Sequence, residues 1–148
     1  MTMKKIILIF LLTLTFSCSD EETDFTAQNE MDIKEYIQEN NLTTQKTNSG
    51  IYYTINIDGS GNAPTVNSNV TIGYKGYFLD NSIFDQSMNA TFNLSAVIPG
   101  FAQSVQLLKP GGSGTFIIPS RLAYGNKGSS SIPGGAVLVF DINLISIN

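Results

Sequence analysis

Apolar residues recur at every second position in several segments after Ile51, and this alternation most constrains the fold. The clearest case places Leu138, Phe140, Ile142 and Leu144 on one face of a single segment. A period of two is typical of strands that bury one face, so the pattern predicts a sheet. The predicted strands are Ile51 to Ile55, Val70 to Tyr74, Ile83 with Phe84, Thr115 to Ile118, and Leu138 to Leu144.

One short helix interrupts these strands. Pro99 suits the first helical turn, and Pro110 to Gly112 would stop the helix. Phe101, Val105 and Leu108 form one apolar stripe. Several strands around one small helix predict an α+β fold in which a twisted antiparallel sheet wraps the helix.

A second helix is predicted before the strands. The spacing of Ile33, Tyr36 and Ile37 fits a short amphipathic helix from Met31 to Ile37. Asn29 is its expected N-cap, because an Asn side chain can accept a hydrogen bond from the first-turn N–H groups. We therefore expect a short N-terminal helical extension ahead of the sheet.

The N-terminus has the features of a secretory signal. Lys4 and Lys5 precede an apolar run from Ile6 to Leu12, and the region ends in small residues and Cys18. The run is too short for a stable transmembrane helix. The residues that end at Cys18 resemble a bacterial lipobox, which predicts cleavage before Cys18 and acylation of its thiol. A secretory protein with a free thiol stays open as the alternative.

An acidic tetrad, Ser19 to Glu22, follows Cys18 directly. It favours export to the cell surface, and a solvated tether is the alternative. We expect a lipid-anchored protein of the cell envelope, at the outer membrane, its periplasmic face or the cell surface. The predicted organisation is a signal peptide (1–17), an acidic tether (18–29), a short helix with a linker (30–48) and a folded domain (49–148).

Charge and composition exclude several classes of function. The net charge is −4, and eight of the twelve acids lie within residues 20–39, so no basic stripe exists to follow a nucleic acid. The absence of His excludes Ser-His-Asp and Cys-His nucleophilic sites and imidazole metal sites. A single Cys cannot form an internal disulfide.

Six segments, taken in order, carry a family resemblance. They are Val70 to Tyr77, Phe84 to Ser87, Val97 to Phe101, Leu108 to Gly112, Ile118 to Gly125, and Ile132 to Asp141. In this order they resemble the FKBP family of prolyl isomerases, from about Ser49 to the C-terminus. The resemblance implies a twisted antiparallel sheet around a short helix, with a shallow apolar pocket between them.

Carried over by position, the resemblance implies a set of site residues. The Ile98 N–H and the Tyr124 hydroxyl would donate to substrate carbonyls, whereas Asp85 would bond to neighbours such as Tyr74 and would not act as a base. The segment after Asp85 is shorter than in the smallest family members, which leaves the placement of Phe92 open. The implied catalytic residues are Tyr74, Phe84, Asp85, Ile98, Phe101, Tyr124 and Phe140, and the implied substrate-binding residues are Val97, Ile132 and Phe92.

The implied reaction needs no nucleophile, metal or cofactor, because rotation about an X-Pro bond makes and breaks no covalent bond. Its barrier is the loss of amide resonance, about 20 kcal/mol. An apolar cup that excludes water would favour the twisted amide over the planar one. Phe101 stands where the best-known members carry Trp, so we expect weaker activity or a shifted substrate preference.

The expected partners are proline-containing polypeptides and, through a lipid on Cys18, the membrane, with no nucleic acid. The resemblance also implies binding of FK506-like macrolides, and we expect a monomer. Two alternatives remain open. One is a non-catalytic chaperone or adaptor that binds proline-containing peptides with the same fold, and the other is a β-sandwich lipoprotein for adhesion or carbohydrate binding.

Overall fold

The computed structural model describes residues 23–148. The predicted signal peptide (1–17), Cys18 and the tetrad Ser19 to Glu22 lie outside these residues, and their roles stay predictions. Within residues 23–148, no helix is both long enough and apolar enough to span a membrane.

The described residues form one six-stranded sheet with two α-helices. The strand order is β1-β2-β5-β6-β3-β4, and every neighbouring pair is antiparallel. The predicted α+β fold is confirmed, and a β-sandwich is excluded. The elements are α1 (Thr26–Glu39), β1 (Gln45–Lys46), β2 (Tyr52–Ile57), β3 (Asn69–Tyr77), β4 (Ile83–Asn93), α2 (Pro99–Val105), β5 (Ser113–Ile118) and β6 (Leu138–Ile147), with 3-10 turns at Leu94–Ala96 and Ser120–Leu122.

The inner face of the sheet packs against α2 and holds the main core. The predicted alternation in β6 is confirmed, because its apolar set is buried on this face while Asp141 and Asn143 lie on the other. Full burial of each large aliphatic side chain contributes about 1.5–3 kcal/mol. The inner core includes Ile51, Val70, Ile72, Leu94, Phe101, Val105, Leu108, Phe116, Ile118, Leu138, Phe140, Ile142 and Leu144.

The outer face of the sheet is covered at one end by α1. The outer cluster, as we call it, consists of Ile33 and Tyr36 from the helix packed on Ile117, Val137 and Val139. The helix therefore docks on the domain that the strands form. Within the predicted linker, the two-residue strand β1 also pairs with β2 and extends the sheet.

The predicted N-cap of α1 is wrong. The helix begins at Thr26, inside the predicted tether, where Phe25 is the N-cap residue and the Asp24 Oδ1 atom accepts from the Thr26 N–H at 2.9 Å. Asn29 lies one turn inside the helix and is only 2% exposed. Asn29, Ile33 and Tyr36 are spaced by four and three residues, so they share the buried face.

Strand β4 is much longer than the predicted segment at Ile83 and Phe84. Its pairing with β3 shifts between Ser87 and Ala90, where three steps along β4 match two steps along β3. This is a β-bulge, and it leaves Met88 90% exposed. The bulge breaks the alternation of apolar residues, which is why sequence periodicity missed the second half of the strand.

Candidate active site

Five aromatic rings meet between the inner face of the sheet and α2, and we call this group the aromatic cup. The ring of Phe101, on α2, lies 5.0 Å from that of Phe140, on β6, and 5.9 Å from that of Tyr74, on β3. The contacts are edge-to-face or tilted, as aromatic pairs prefer. The members of the cup are Tyr74, Phe84, Phe92, Phe101 and Phe140.

The cup has a buried floor and a partly exposed rim. Phe101 and Phe140 are 4% and 5% exposed, so they form the floor. Phe84 and Phe92, both on the edge strand β4, are only partly buried. An apolar ring such as that of proline would therefore meet aromatic faces from the sheet and from the helix.

Gly76 allows two rings of the cup to lie over strand β3. A Cβ atom at this position would lie 2.6 Å from the Phe84 ring and 2.8 Å from the Phe140 ring. Both distances are shorter than van der Waals contact permits. Any larger residue would push Phe84 and Phe140 outward and open the cup.

Phe92, whose placement the sequence left open, belongs to the cup. It pairs with Val70 across the β3–β4 ladder. Its ring centroid lies 5.8 Å from that of Tyr74 and 6.1 Å from that of Phe101. Phe84 and Phe92 are eight residues apart along β4 and both pack against the inner core, because the bulge at Ser87 to Ala90 is offset by a second register shift near Ile83.

One wall of the cup is held by a hydrogen bond between side chains. The Tyr74 hydroxyl donates to the Asp85 Oδ2 atom at 2.7 Å. Burial raises the pKa of Tyr74 to about 12, and the hydrogen bond and charge of Asp85 add to the shift, with a smaller contribution from Tyr124. Tyr74 therefore stays protonated near neutral pH and keeps donating to Asp85. Asp85 therefore holds Tyr74 in the wall of the cup, and this geometry gives it no role as a base.

The two predicted donors to substrate come from different parts of the fold, the start of α2 and the loop between β5 and β6. Ile98 is the N-cap residue of α2, and no hydrogen bond within residues 23–148 uses its N–H as a donor. Tyr124 lies in the loop between β5 and β6 and is 40% exposed, and its hydroxyl bonds to no described residue. Both donors are therefore available to a ligand, and their roles stay predictions.

The predicted substrate-binding residues border the inner core. Val97 packs half-buried just before α2, and Ile132, in the β5–β6 loop, is 8% exposed. Tyr124 is the predicted residue that stands outside this packed group. Most of the predicted site residues therefore pack together, whereas the position of Tyr124 depends on the conformation of its loop.

Sequence reasoning missed Phe78, whose ring centroid lies 5.0 Å from that of Phe84. Phe78 packs against the inner core directly after β3. The alternation that runs through Tyr74 and Gly76 reaches Phe78 two residues later, so the same period could have found it.

A separate groove of about 730 Å³ lies on the outer face of the sheet. Its lining includes Lys75, Asp141 and Asn143, which alternate with inner-face residues along their strands. Of the aromatic cup, only Tyr74 is among the lining residues, and Phe84, Phe92, Phe101 and Phe140 are not. The groove therefore meets the cup only at Tyr74 on strand β3.

The chain matches the family model of the FKBP-type peptidyl-prolyl cis-trans isomerase over residues 61–145. It is 46% identical over 106 residues to a probable FKBP-type peptidyl-prolyl cis-trans isomerase FkpA of Neisseria meningitidis serogroup B, covering 68% of this chain and 39% of the relative. It is 36% identical over 129 residues to FkpA of Escherichia coli strain K12, covering 82% and 47%. The chain thus spans about half or less of the length of these relatives.

Solved structures agree with the sequence matches. The crystal structure of FkpA from Escherichia coli superposes with a TM-score of 0.75 at 34% identity, covering 82% of this chain and 60% of that one. A peptidyl-prolyl cis-trans isomerase from Pseudomonas syringae pv. tomato DC3000 superposes with a TM-score of 0.73 at 29% identity, covering 85% and 97%. The chain belongs to the family of FKBP-type peptidyl-prolyl cis-trans isomerases.

Proposed function

We propose that this chain catalyses cis/trans isomerisation of X-Pro bonds in exported or surface polypeptides and so assists their folding. The observation that carries the proposal is the aromatic cup, with Phe101 and Phe140 as its floor and the Tyr74–Asp85 hydrogen bond in its wall. The cup lies at the positions that the family resemblance assigns to the substrate pocket. Uncatalysed isomerisation takes tens to hundreds of seconds and can limit folding, so a folding role is consistent.

The cup supports catalysis by differential binding. The planar amide is more polar than the twisted transition state, since twisting removes the charge separation of amide resonance. Aromatic walls that exclude water favour the less polar, twisted form. No proton is transferred, so neither Asp85 nor Tyr74 has to change its protonation state.

Two donors would orient the peptide on the cup. The free N–H of Ile98 and the hydroxyl of Tyr124 would each donate to a substrate carbonyl. Fixing the peptide backbone while the proline ring sits in the cup would hold the amide part-way to its twisted geometry.

A protease-free isomerase assay on X-Pro peptides tests the proposal, run on the soluble piece that begins after Cys18. We expect Phe84→Ala and Asp85→Ala each to lower kcat/KM at least about tenfold, because each removes a part of the cup or its wall. Tyr53→Ala is the matched control, since Tyr53 is also a half-buried aromatic residue on the inner face but lies on β2. Turnover insensitive to both cup variants would refute this site.

The pH profile gives an independent check. Since Tyr74 stays protonated and the chain contains no His, we expect kcat/KM to be flat between about pH 6 and about pH 9. A bell-shaped profile would indicate acid–base chemistry and would contradict the mechanism.

A non-catalytic binder of proline-containing peptides is the second candidate, and the small floor residue favours it. Phe101 offers less area than Trp and has no N–H group, so the cup could bind a proline ring without stabilising the twisted amide. Peptide binding measured by calorimetry, without acceleration in the isomerase assay, would establish this candidate over the enzyme.

We further propose that acylated Cys18 anchors the chain in the cell envelope. The basic start, the apolar run and the lipobox-like end at Cys18 support this. Labelling with radioactive palmitate should mark the wild-type chain, and Cys18→Ser should abolish the label. Protease shaving of intact cells would then distinguish surface exposure from the periplasmic face.

Two finer properties rest on the family resemblance alone. We propose that the aromatic cup binds FK506-like macrolides and that the chain is a monomer. An FK506 titration of isomerase activity tests the first, with Phe84→Ala as the variant expected to lose inhibition. Sedimentation velocity of the soluble piece tests the second.

A further inference from the structure

The side chain of Asn29 connects α1 to a loop of the active site. Its Nδ2 atom donates to the Gly135 carbonyl at 2.8 Å, and its Oδ1 atom accepts from the Ser120 N–H at 2.7 Å. Asn29 is 2% exposed, so water does not compete for either bond. These partners lie 91 and 106 residues away in sequence, at the two ends of one loop.

That loop, residues 120–135, carries Tyr124 and Ile132 of the predicted site. It begins with the 3-10 turn Ser120–Leu122, which has no capping side chain from its own N-cap residue, Pro119. The Asn29 oxygen supplies this missing cap from a distant helix. A buried N–H left without a partner costs about 1–3 kcal/mol in proteins generally, so the Asn29 oxygen stabilises the start of this loop.

The two residues that Asn29 binds also hold the neighbour of Tyr124. The Gly125 N–H donates to the Ser120 carbonyl at 2.8 Å, and the Gly135 N–H donates to the Gly125 carbonyl at 2.9 Å. Asn29, Ser120, Gly125 and Gly135 therefore form a closed ring of hydrogen bonds. Gly125, directly after Tyr124, takes part in this ring through both its N–H and its carbonyl, so its position depends on the ring.

Packing at Gly135 supports the same connection. The Phe25 ring, at the start of α1, fills the space where a Cβ atom at Gly135 would be. Gly135 also has a φ of +75°, a conformation that favours glycine. The helix start and the loop end are therefore fitted to each other.

We infer that Asn29 is a positioning residue for the active site, whose buried amide keeps the 120–135 loop in the one arrangement that presents Tyr124 and Ile132. This inference rests on the proposed isomerase function for its kinetic consequences. Its structural part, the order of the loop, does not depend on catalysis.

Two substitutions separate the two hydrogen bonds. Asn29→Ala removes both. Asn29→Asp keeps an acceptor for the Ser120 N–H but loses the donor to the Gly135 carbonyl while its carboxyl group is ionised. Burial raises the pKa of such a carboxyl group, and its protonated form again offers one donor and one acceptor. Asn29→Asp should therefore regain wild-type behaviour as the pH falls.

The experiment measures the full chain in detergent by hydrogen exchange and by the X-Pro isomerase assay. For Asn29→Ala we expect amide exchange of residues 120–135 to accelerate at least about tenfold while β3 and β6 exchange as in the wild type. We expect kcat/KM to fall about tenfold. For Asn29→Asp we expect both defects at about pH 8 and their recovery towards about pH 6, a range over which the wild-type profile is expected to be flat.

Ile33→Val is the matched control, because Ile33 lies one turn further along α1, is 1% exposed and makes no hydrogen bond to the loop through its side chain. It should weaken helix packing without changing loop exchange or kcat/KM. Equal defects in Ile33→Val and Asn29→Ala, or an Asn29→Ala variant with wild-type loop exchange, would overturn the inference. If the wild type lacks isomerase activity, the proposed function fails while the exchange data still decide whether Asn29 holds the loop.

Discussion

The two faces of the sheet differ in what covers them. The inner face packs on α2 and carries an apolar core that ends in the aromatic cup. The outer face is covered by α1 at one end, and beyond it lies the groove in which the Asp141 carboxylate accepts from Thr115 at 2.8 Å and pairs with Lys75 at 3.2 Å. The same alternating strands therefore supply the proposed binding surface on one side and a docking surface for the helix on the other.

This difference shows how function is divided within a small domain. The chemistry that we propose needs only the inner face, because a proline ring requires apolar walls and two donors. The outer face contributes through α1, which reaches past the sheet to the Tyr124 loop by way of Asn29. A helix on the outer face of the sheet can therefore control the order of the loop that carries Tyr124.

The largest expected difference between the faces is in stability. Leu138→Ala, in the inner core, should lower the free energy of unfolding by about 4 kcal/mol, and Ile33→Ala, in the outer cluster, by about 2 kcal/mol. Both side chains are at most 1% exposed, but the cavity under a surface helix can collapse more readily. Urea unfolding of the two variants measures this, and equal losses would show that α1 is as much a part of the core as β6.

A smaller difference is expected between two tyrosine hydroxyls. Tyr74→Phe should lower the free energy of unfolding by about 1.5 kcal/mol, since Asp85 loses a 2.7 Å hydrogen bond. Tyr77→Phe, on the outer face, should cost about 0.5 kcal/mol, because its bond to Asp141 is 3.3 Å long and Asp141 keeps Thr115 and Lys75. Urea unfolding again provides the measurement, and the reverse order would contradict the comparison.

The smallest effect concerns pH. Hydrogen bonds from Lys46 and Tyr52 lower the pKa of Glu30 on α1 from 4.5 to about 2. A depressed pKa means that the carboxylate stabilises the fold above about pH 4.5 and that this contribution disappears as the pH falls towards 2. The side chain is 35% exposed, so solvent screening limits the effect to less than about 1 kcal/mol.

Acid unfolding of Glu30→Gln measures this contribution. The variant should lose stability less steeply than the wild type in that pH window. Glu39→Gln is the control, because Glu39 lies on the same helix and forms no ion pair within the described part of the chain. An identical acid dependence of all three chains would exclude Glu30 as a contributor.

Local patterns predicted the elements that bury one regular face. The alternation in β6 and the buried positions Phe101 and Val105 on α2 were predicted, although the helix ends at Val105, before Leu108. Most of strand β4 was not predicted, because a bulge interrupts the alternation of its side chains. As an edge strand it also has few apolar residues that could show the alternation. Asn29 was predicted to be the N-cap of α1, because an Asn near the start of a helix usually caps that helix.

The sequence by itself determined the class of fold, the family, and the aromatic residues available for a pocket, because periodicity and ordered segments are local properties of the chain. Tertiary structure alone decided that Phe92 and Phe78 join that group of rings, that α1 docks on the outer face, and that Asn29 binds both ends of the 120–135 loop. These contacts join residues far apart in sequence. Their partners are chosen by burial and by the need to satisfy polar groups away from water, which no local pattern encodes.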